Sequence, residues 1–449
     1  MLSLLVILFL QAQHFFTVEE NNFFITEDSL ISTAWTVEDG LPVNSVNEII
    51  QDSTGYLWIS TYDGIVQFDG LNFDVYTHAN TPGMPQNRAV YLLPQSGNNL
   101  WITLENGGVV LKDGEEYTHF DQDDGFTNSN VTYMTTDSEG NTWFASLEGV
   151  YRYQNEQFET VYQGETNLEN QVNYLYEDVN GSFWFATADG LVHFTPDGLQ
   201  KYNLPNNNDD NYIVRIQPTT DGELLLSGQT GVYTFSDGQI TQPSRFEPVE
   251  ESLVHIFIHT KQEETYIPSS NGLYKYTNGT LNIIPGNEDP GSPFLYYLED
   301  SLGNVWLANN NGDVYLLQND RLTPFHFPEG KGPYHINRIM EDSEGNLWFT
   351  TGRSGLIRVK KAQVKSITAE NGLSGNNILG MFEDRDGNYW IGTRDEGLNK
   401  ISGNTITKYF EESSPFRNIV HSINQDPEGN VWVGYFNEGL IKFDHETGD

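Results

Sequence analysis

Tryptophan recurs in this chain at an almost constant interval, and no other feature limits the fold as sharply. The series runs Trp58, Trp101, Trp143, Trp184, Trp306, Trp348, Trp390 and Trp432. Leu225 and Tyr266 fill the gap between Trp184 and Trp306 in register, giving ten repeats about 41 residues apart. Trp35 alone stands outside the series.

The repeats read alike. In the first, NSVNEIIQD leads through a DSTG turn into YLWIST, and a two-residue loop leads into GIVQF and then FDVYT. These segments are short, rich in β-branched and aromatic residues, and separated by Gly, Asp and Asn, as antiparallel meanders require. Four strands in about 41 residues is the size of a propeller blade. The expected fold class is therefore all-β, a β-propeller of four-stranded blades with strands A to D running outward from a central channel. The A-to-B turn carries D-x-x-G at Asp52, Asp137, Asp178, Asp300, Asp342, Asp384 and Asp426. Its Asp is expected to accept backbone amides and its Gly to supply positive φ. Asp384-Arg385-Asp386-Gly387 has some likeness to a calcium loop, but lacks the third acidic position and the distal Glu of an EF-hand.

The number of blades per ring can be argued from a register detail. A glycine lies six residues beyond the Trp position in repeats one to seven and seven beyond it in repeats eight to ten, at Gly355, Gly397 and Gly439. Basic residues also concentrate late, with 13 of the 22 beyond Gly330. Both shifts predict seven four-stranded blades at 30–320, followed by three blades of a second propeller at 321–449. A single ten-bladed ring is the alternative. ISTAWTVEDGLPVN, ahead of the first strand A, reads as a detached D strand that latches onto the last blade of its ring and removes the open edge.

Composition narrows partners and compartment. The formal net charge of −41 repels phosphate backbones and anionic lipid, so nucleic acid is not an expected partner. There is no cysteine, hence no disulfide framework and no thiolate metal site. Leu2 to Leu10 has the length of a signal-peptide apolar run, too short to span a bilayer, and 1–13 reads as a signal peptide or its remnant. The expected location is periplasmic, with no membrane insertion by this chain.

The blade pattern is most complete from Asn376 to Leu398, and there it resembles the two-component regulator propeller repeat; WTVEDGLPVNSV, Trp35 to Val46, resembles the start of that family's sensor region. The resemblance implies a periplasmic sensor region of a hybrid two-component system or sensor diguanylate cyclase. In the family this is usually two seven-bladed propellers, followed by a β-sandwich, a membrane helix and a histidine kinase or cyclase. No such following domains are recognisable in this chain, so signalling output is implied only for a parent receptor, which also offers a route to a homodimer.

Propellers commonly present ligands to a face built from interstrand loops. The B-to-C loops supply Tyr62, Asp63, Glu105, Asn106, Glu148, Asp189, Gln229, Asn271 and Asn310, a collar of carboxylates and amides suited to vicinal hydroxyls. Arg353 and Arg394, in the longer loops of repeats eight and nine, could hold a carboxylate or sulfate. A small-molecule or oligosaccharide ligand is expected, in line with the family's link to glycan sensing, with no cofactor and no metal. No H-E-x-x-H or G-x-S-x-G motif occurs, and His255 and His259 are separated by roughly 13 Å along one strand, too far to share a metal directly. The alternatives are a propeller lyase, which would need a His and acidic residues grouped on one face with a divalent ion, and a protein-interaction platform.

Overall fold

In a computed structural model, residues 30–443 are described apart from 128, 206–210, 220–221, 250–253, 270–271, 278, 286–292, 328–334, 362–366, 370–371, 395, 403–404, 410–418 and 437–438. The expected leader at 1–13 lies outside the described residues. In the first repeat strand A is Val46–Gln51, B is Leu57–Thr61, C is Gly64–Phe68 and D is Phe73–Tyr76, paired antiparallel in that order. Strand B is buried along its whole length, whereas strand D is buried nowhere, so burial falls from the middle of the sheet to its outer edge. The described residues build nine such four-stranded sheets and one of three strands.

The D-x-x-G turn does more than reverse the chain. One oxygen of Asp52 accepts the amides of Thr54 and Tyr56 at 2.9 and 3.1 Å, and Gly55 closes the turn at φ +95°. The other oxygen accepts the indole N–H of Trp58 at 2.8 Å, six residues on. The same indole bond forms from Trp143, Trp184, Trp306, Trp348, Trp390 and Trp432 to the Asp of its own turn. A large apolar side chain can thus be buried without stranding its one polar atom. At Asp384 the carboxylate is consumed by Asp386 N, Asn388 and Trp390, which makes the segment a turn. Trp101 has no such Asp and donates instead to Thr142 of the next blade.

The Trp position is where one blade meets the next. Trp58 packs with Ile102 and Val110 of blade 2, Trp101 with Phe144 of blade 3, Trp143 with Phe185 of blade 4, and Trp184 with Tyr233 of blade 5. Leu225 packs with Ile267 of blade 6, Tyr266 with Leu307 of blade 7, and Trp306 with Phe349 of blade 8. Trp348 of blade 8 then packs with Ile59 and Val66 of blade 1. Eight junctions therefore return to the start. Polar bonds follow the same path: Asn337 of blade 8 donates to Val46 O of blade 1 at 2.7 Å, as Asn47 does to Ala89 O of blade 2.

The latch forms, but on the eighth repeat. Leu30–Trp35 pairs antiparallel with strand C of blade 8, Leu356–Lys361, from Leu30 opposite Lys361 to Trp35 opposite Leu356. Trp35 stacks on Trp348 with centroids 5.3 Å apart and meets Phe68 edge-on at 5.4 Å. Gly355, at φ +78°, makes room for this strand: a Cβ there would lie 2.0 Å from the Trp35 carbonyl oxygen. Gly149 stands in the same relation to Tyr162 O of blade 3's own outer strand, so Trp35 occupies a regular strand-D position.

The expected division at 320/321 is accordingly replaced by compact units at 1–361 and 362–449, and neither the seven-plus-three layout nor the ten-bladed ring describes the pairing. The glycine spacing misleads because it reports loop length alone. Blades 2 and 7 close their B-to-C hairpins as widely as blade 8 does, the last pairs being Thr103 with Val109, Ala308 with Val314 and Thr350 with Leu356. A longer hairpin end leaves the strand pairing below it unchanged. In the second unit Trp390 packs among Val420, Val431 and Val433, while Trp432 of the last blade is 37% exposed.

Candidate functional site

The loop collar is already engaged with neighbouring loops. Asp63 accepts from Asn87 Nδ2 at 3.2 Å; Glu105 is ion-paired with Arg88, whose guanidinium also lies 4.5 Å from the Tyr62 ring centroid. The Asn106 amide donates to Asn130 Oδ1 at 2.8 Å, and Glu148 accepts from the Thr127 hydroxyl. Asp189 takes Lys201 Nζ at 2.7 Å and Asn211 Nδ2 at 3.1 Å. Gln229, Asn310, Arg353 and Arg394 are exposed, and Asn271 lies outside the described residues. None of the described collar residues lines either cavity found between the strands A of the first unit.

Those cavities, of about 290 and 260 Å³, take half of their lining from one sequence position that the repeat pattern does not single out. Four residues before the turn Asp, strand A carries Glu48 in blade 1, Tyr133 in blade 3, Tyr174 in blade 4, Tyr296 in blade 7 and Arg338 in blade 8. Tyr91, Arg215 and Ile256 hold the matching position in blades 2, 5 and 6, so all eight blades of the first unit contribute one lining residue. The local cause is a β-bulge. Pairing slips between Val46 and Glu48, Val131 and Tyr133, Val172 and Tyr174, Ile213 and Arg215, Phe294 and Tyr296, and Ile336 and Arg338. The side chain after each slip is re-aimed while the rest of the strand keeps its register.

Charge is unevenly compensated within this ring. Arg338 Nε donates to both oxygens of Glu48, at 3.0 and 2.8 Å, across the junction of blades 8 and 1. Burial pushes the Glu48 carboxyl up, with the Arg338 charge opposing it. The Arg338 guanidinium also lies 5.5 Å from the Tyr296 ring and 5.7 Å from the Tyr91 ring. Arg215 lies 4.8 Å over the ring of Tyr174, which is itself 4.4 Å from Tyr133. Its Nη1 donates to Asn173 O at 3.4 Å, and no carboxylate pairs with it among the described residues.

His255 lines the same space, and burial followed by the Arg215 charge holds its pKa below the ordinary 6.5. His259 faces elsewhere and meets the Thr265 hydroxyl at 3.1 Å. Among the described residues no three His, Asp or Glu side chains are grouped so as to hold a metal ion. What the cavity offers is a set of aromatic faces, phenolic hydroxyls and cationic donors, an arrangement suited to holding a small polar ligand by stacking and hydrogen bonds.

A sequence signal for this ring was present. The position holds Glu, Tyr, Arg or Ile in repeats one to eight and then Gly380 and Ser422 in repeats nine and ten, a change that falls at the observed boundary. It is invisible to a search for hydrophobic periodicity because the residues sharing it differ in charge and polarity.

Among known proteins, the two-component regulator propeller family matches residues 40–63, 330–353 and 372–395. No curated protein matches the chain by sequence. The extracellular domain of the hybrid two-component system BT3049 from B. thetaiotaomicron is similar at 19% identity and TM-score 0.48, over 93% of this chain and 65% of its own length. That of the one-component system BT4673 from the same organism is similar at 17% and 0.43, over 94% and 73%. A streptogramin B lyase is similar at 13% and 0.46, over 74% and 98%. No helix among the described residues is long and apolar enough to cross a membrane. Three copies of the repeat, the first, eighth and ninth, thus match the two-component regulator propeller model, and each of them forms an antiparallel sheet.

Proposed function

We propose that this chain is the ligand-sensing propeller of an exported, periplasmic signalling receptor, and that it binds a small glycan-derived molecule in the central cavity of the first unit. Kinase or cyclase output would be carried by other domains of the parent receptor. The observation that carries the reading is the ring of Glu48, Tyr91, Tyr133, Tyr174, Arg215, Ile256, Tyr296 and Arg338, one residue from each blade and six of them set by a bulge. A surface meant only to pack would not turn a polar or aromatic side chain from seven of the eight blades into a shared space. The volume of about 290 Å³ lies at the small end of the ~300–1,000 Å³ typical of ligand pockets, which favours a mono- or disaccharide over a polymer.

The collar enters this proposal as a rim. Its carboxylates are occupied by Asn87, Arg88, Thr127 and Lys201, so exposed Tyr62, Gln229 and Asn310 are its available contacts. Calorimetry of the whole chain against a panel of mono- and disaccharides should give saturable binding, with mass spectrometry recovering each sugar unchanged. Absence of binding across the panel would overturn the reading, and a metal-dependent product would replace it with a lyase.

A further inference from the structure

Six basic residues of the first unit are neutralised at close range. Arg88, Arg152, Lys201, Arg245, Lys275 and Arg338 each hold a carboxylate oxygen within ion-pair distance. In a chain with 63 acidic residues against 22 basic ones, that is the ordinary outcome. Arg215 is different: it lines both cavities, and no carboxylate reaches it among the described residues. Its neighbours there are Tyr174 at 4.8 Å and His255, which contribute no negative charge.

Resting on the reading of the cavity as the ligand site, we infer that the ligand is a mono- or disaccharide-sized acidic sugar whose single carboxylate or sulfate is taken by Arg215. A guanidinium stacked on an aromatic face keeps its in-plane N–H fork available, and that fork matches the oxygens of a planar carboxylate or a sulfate edge. Arg215 lies over the Tyr174 ring at 4.8 Å, and the Asn173 carbonyl occupies Nη1 alone. Arg338 cannot serve in the same way, because Glu48 already takes its Nε with both oxygens. With two guanidiniums and one carboxylate around it, the cavity carries one uncompensated positive charge. The surrounding −41 chain would otherwise repel anions, so this charge discriminates by sign as well as by shape.

The test is calorimetry on the intact chain at low ionic strength with galacturonic acid, digalacturonic acid, galactose 6-sulfate, galactose and galactobiose. The acidic probes should bind at least roughly tenfold more tightly than their neutral counterparts, with affinity falling as salt is raised. Arg215→Gln, checked for folding by circular dichroism, should abolish that preference. Glu48→Gln should enhance it, because it adds a second uncompensated cation; this variant also serves if Arg215→Gln does not fold. The carboxylate and sulfate arms identify the anion. Equal binding of acidic and neutral sugars, or a preference that survives Arg215→Gln, would overturn this inference and leave the sensor reading standing. No binding by any probe, neutral or acidic, would remove both.

Discussion

Trp348 donates its indole N–H to Asp342 at 2.7 Å, and the other oxygen of the same carboxylate receives the amides of Glu344 and Asn346 at 3.0 and 2.9 Å. One side chain thus ties the A-to-B turn to the residue that packs blade 8 against blade 1. Asp342→Ala should destabilise the first unit by roughly 2–3 kcal/mol, because the buried donors left without an acceptor cost more than one average hydrogen bond. A fall in the urea midpoint at unchanged slope would measure this. Asp426→Ala should have a smaller effect, since the exposed Trp432 indole can turn to water. Equal losses at the two sites would refute the argument from burial.

The latch makes a second prediction. Trp35→Ala removes the stack on Trp348 and the edge contact with Phe68, at a cost of roughly 2–3 kcal/mol for a partly buried aromatic. Gly355→Ala should act at the same place by forcing a Cβ against the Trp35 carbonyl while straining a positive φ. Both variants should melt earlier and scatter more light, because strand Leu356–Lys361 becomes an unpaired edge. Unchanged melting in both would show that ring closure does not depend on this strand.

Acid should act through the turn aspartates. Burial opposes ionisation of Asp137 and Asp384, but the bonds from Trp143 and Trp390 and from the turn asparagines outweigh it and hold both carboxyls below the usual 3.8. Asp426 is held at about 2, first by Trp432 and then by Asn430. A carboxyl with a lowered folded pKa stabilises the fold above its unfolded value, and that contribution is lost as pH falls through the folded one. Urea midpoints followed downward from pH 7 should therefore drop most steeply below 3.8, and Asp137→Asn should flatten that part of the curve.

His255 should respond in the opposite range. Its folded pKa lies below 6.5, through burial and then through Arg215, so the unfolded chain binds the proton more readily and stability falls as pH drops below 6.5. The charged and titratable groups lining the same cavity are Arg215, the Glu48–Arg338 pair, Tyr91, Tyr133 and Tyr296. Histidine NMR should show this pKa rising in Arg215→Gln, and rising in the native chain when an anion is held at Arg215. The coupling must be reciprocal, with the anion binding more tightly below 6.5. A His255 pKa indifferent to both changes would separate it from the Arg215 site.

The sequence determined what is local. The Asp-x-x-Gly turns, the strand boundaries and the equivalence of Leu225 and Tyr266 to tryptophan all follow from spacing, because each rests on contacts made within one repeat or at its standard junction. Tertiary structure decided how many blades share a ring and which side chains share a cavity. Closure joins residues such as Asn337 and Val46, about 290 positions apart, and depends on which strand edge the latch covers. A hairpin that is one residue longer carries no information about either. The cavity has the same origin: a bulge turns Arg215 and Glu48 inward from strands that look alike in sequence, and only the closed ring brings their charges into one space.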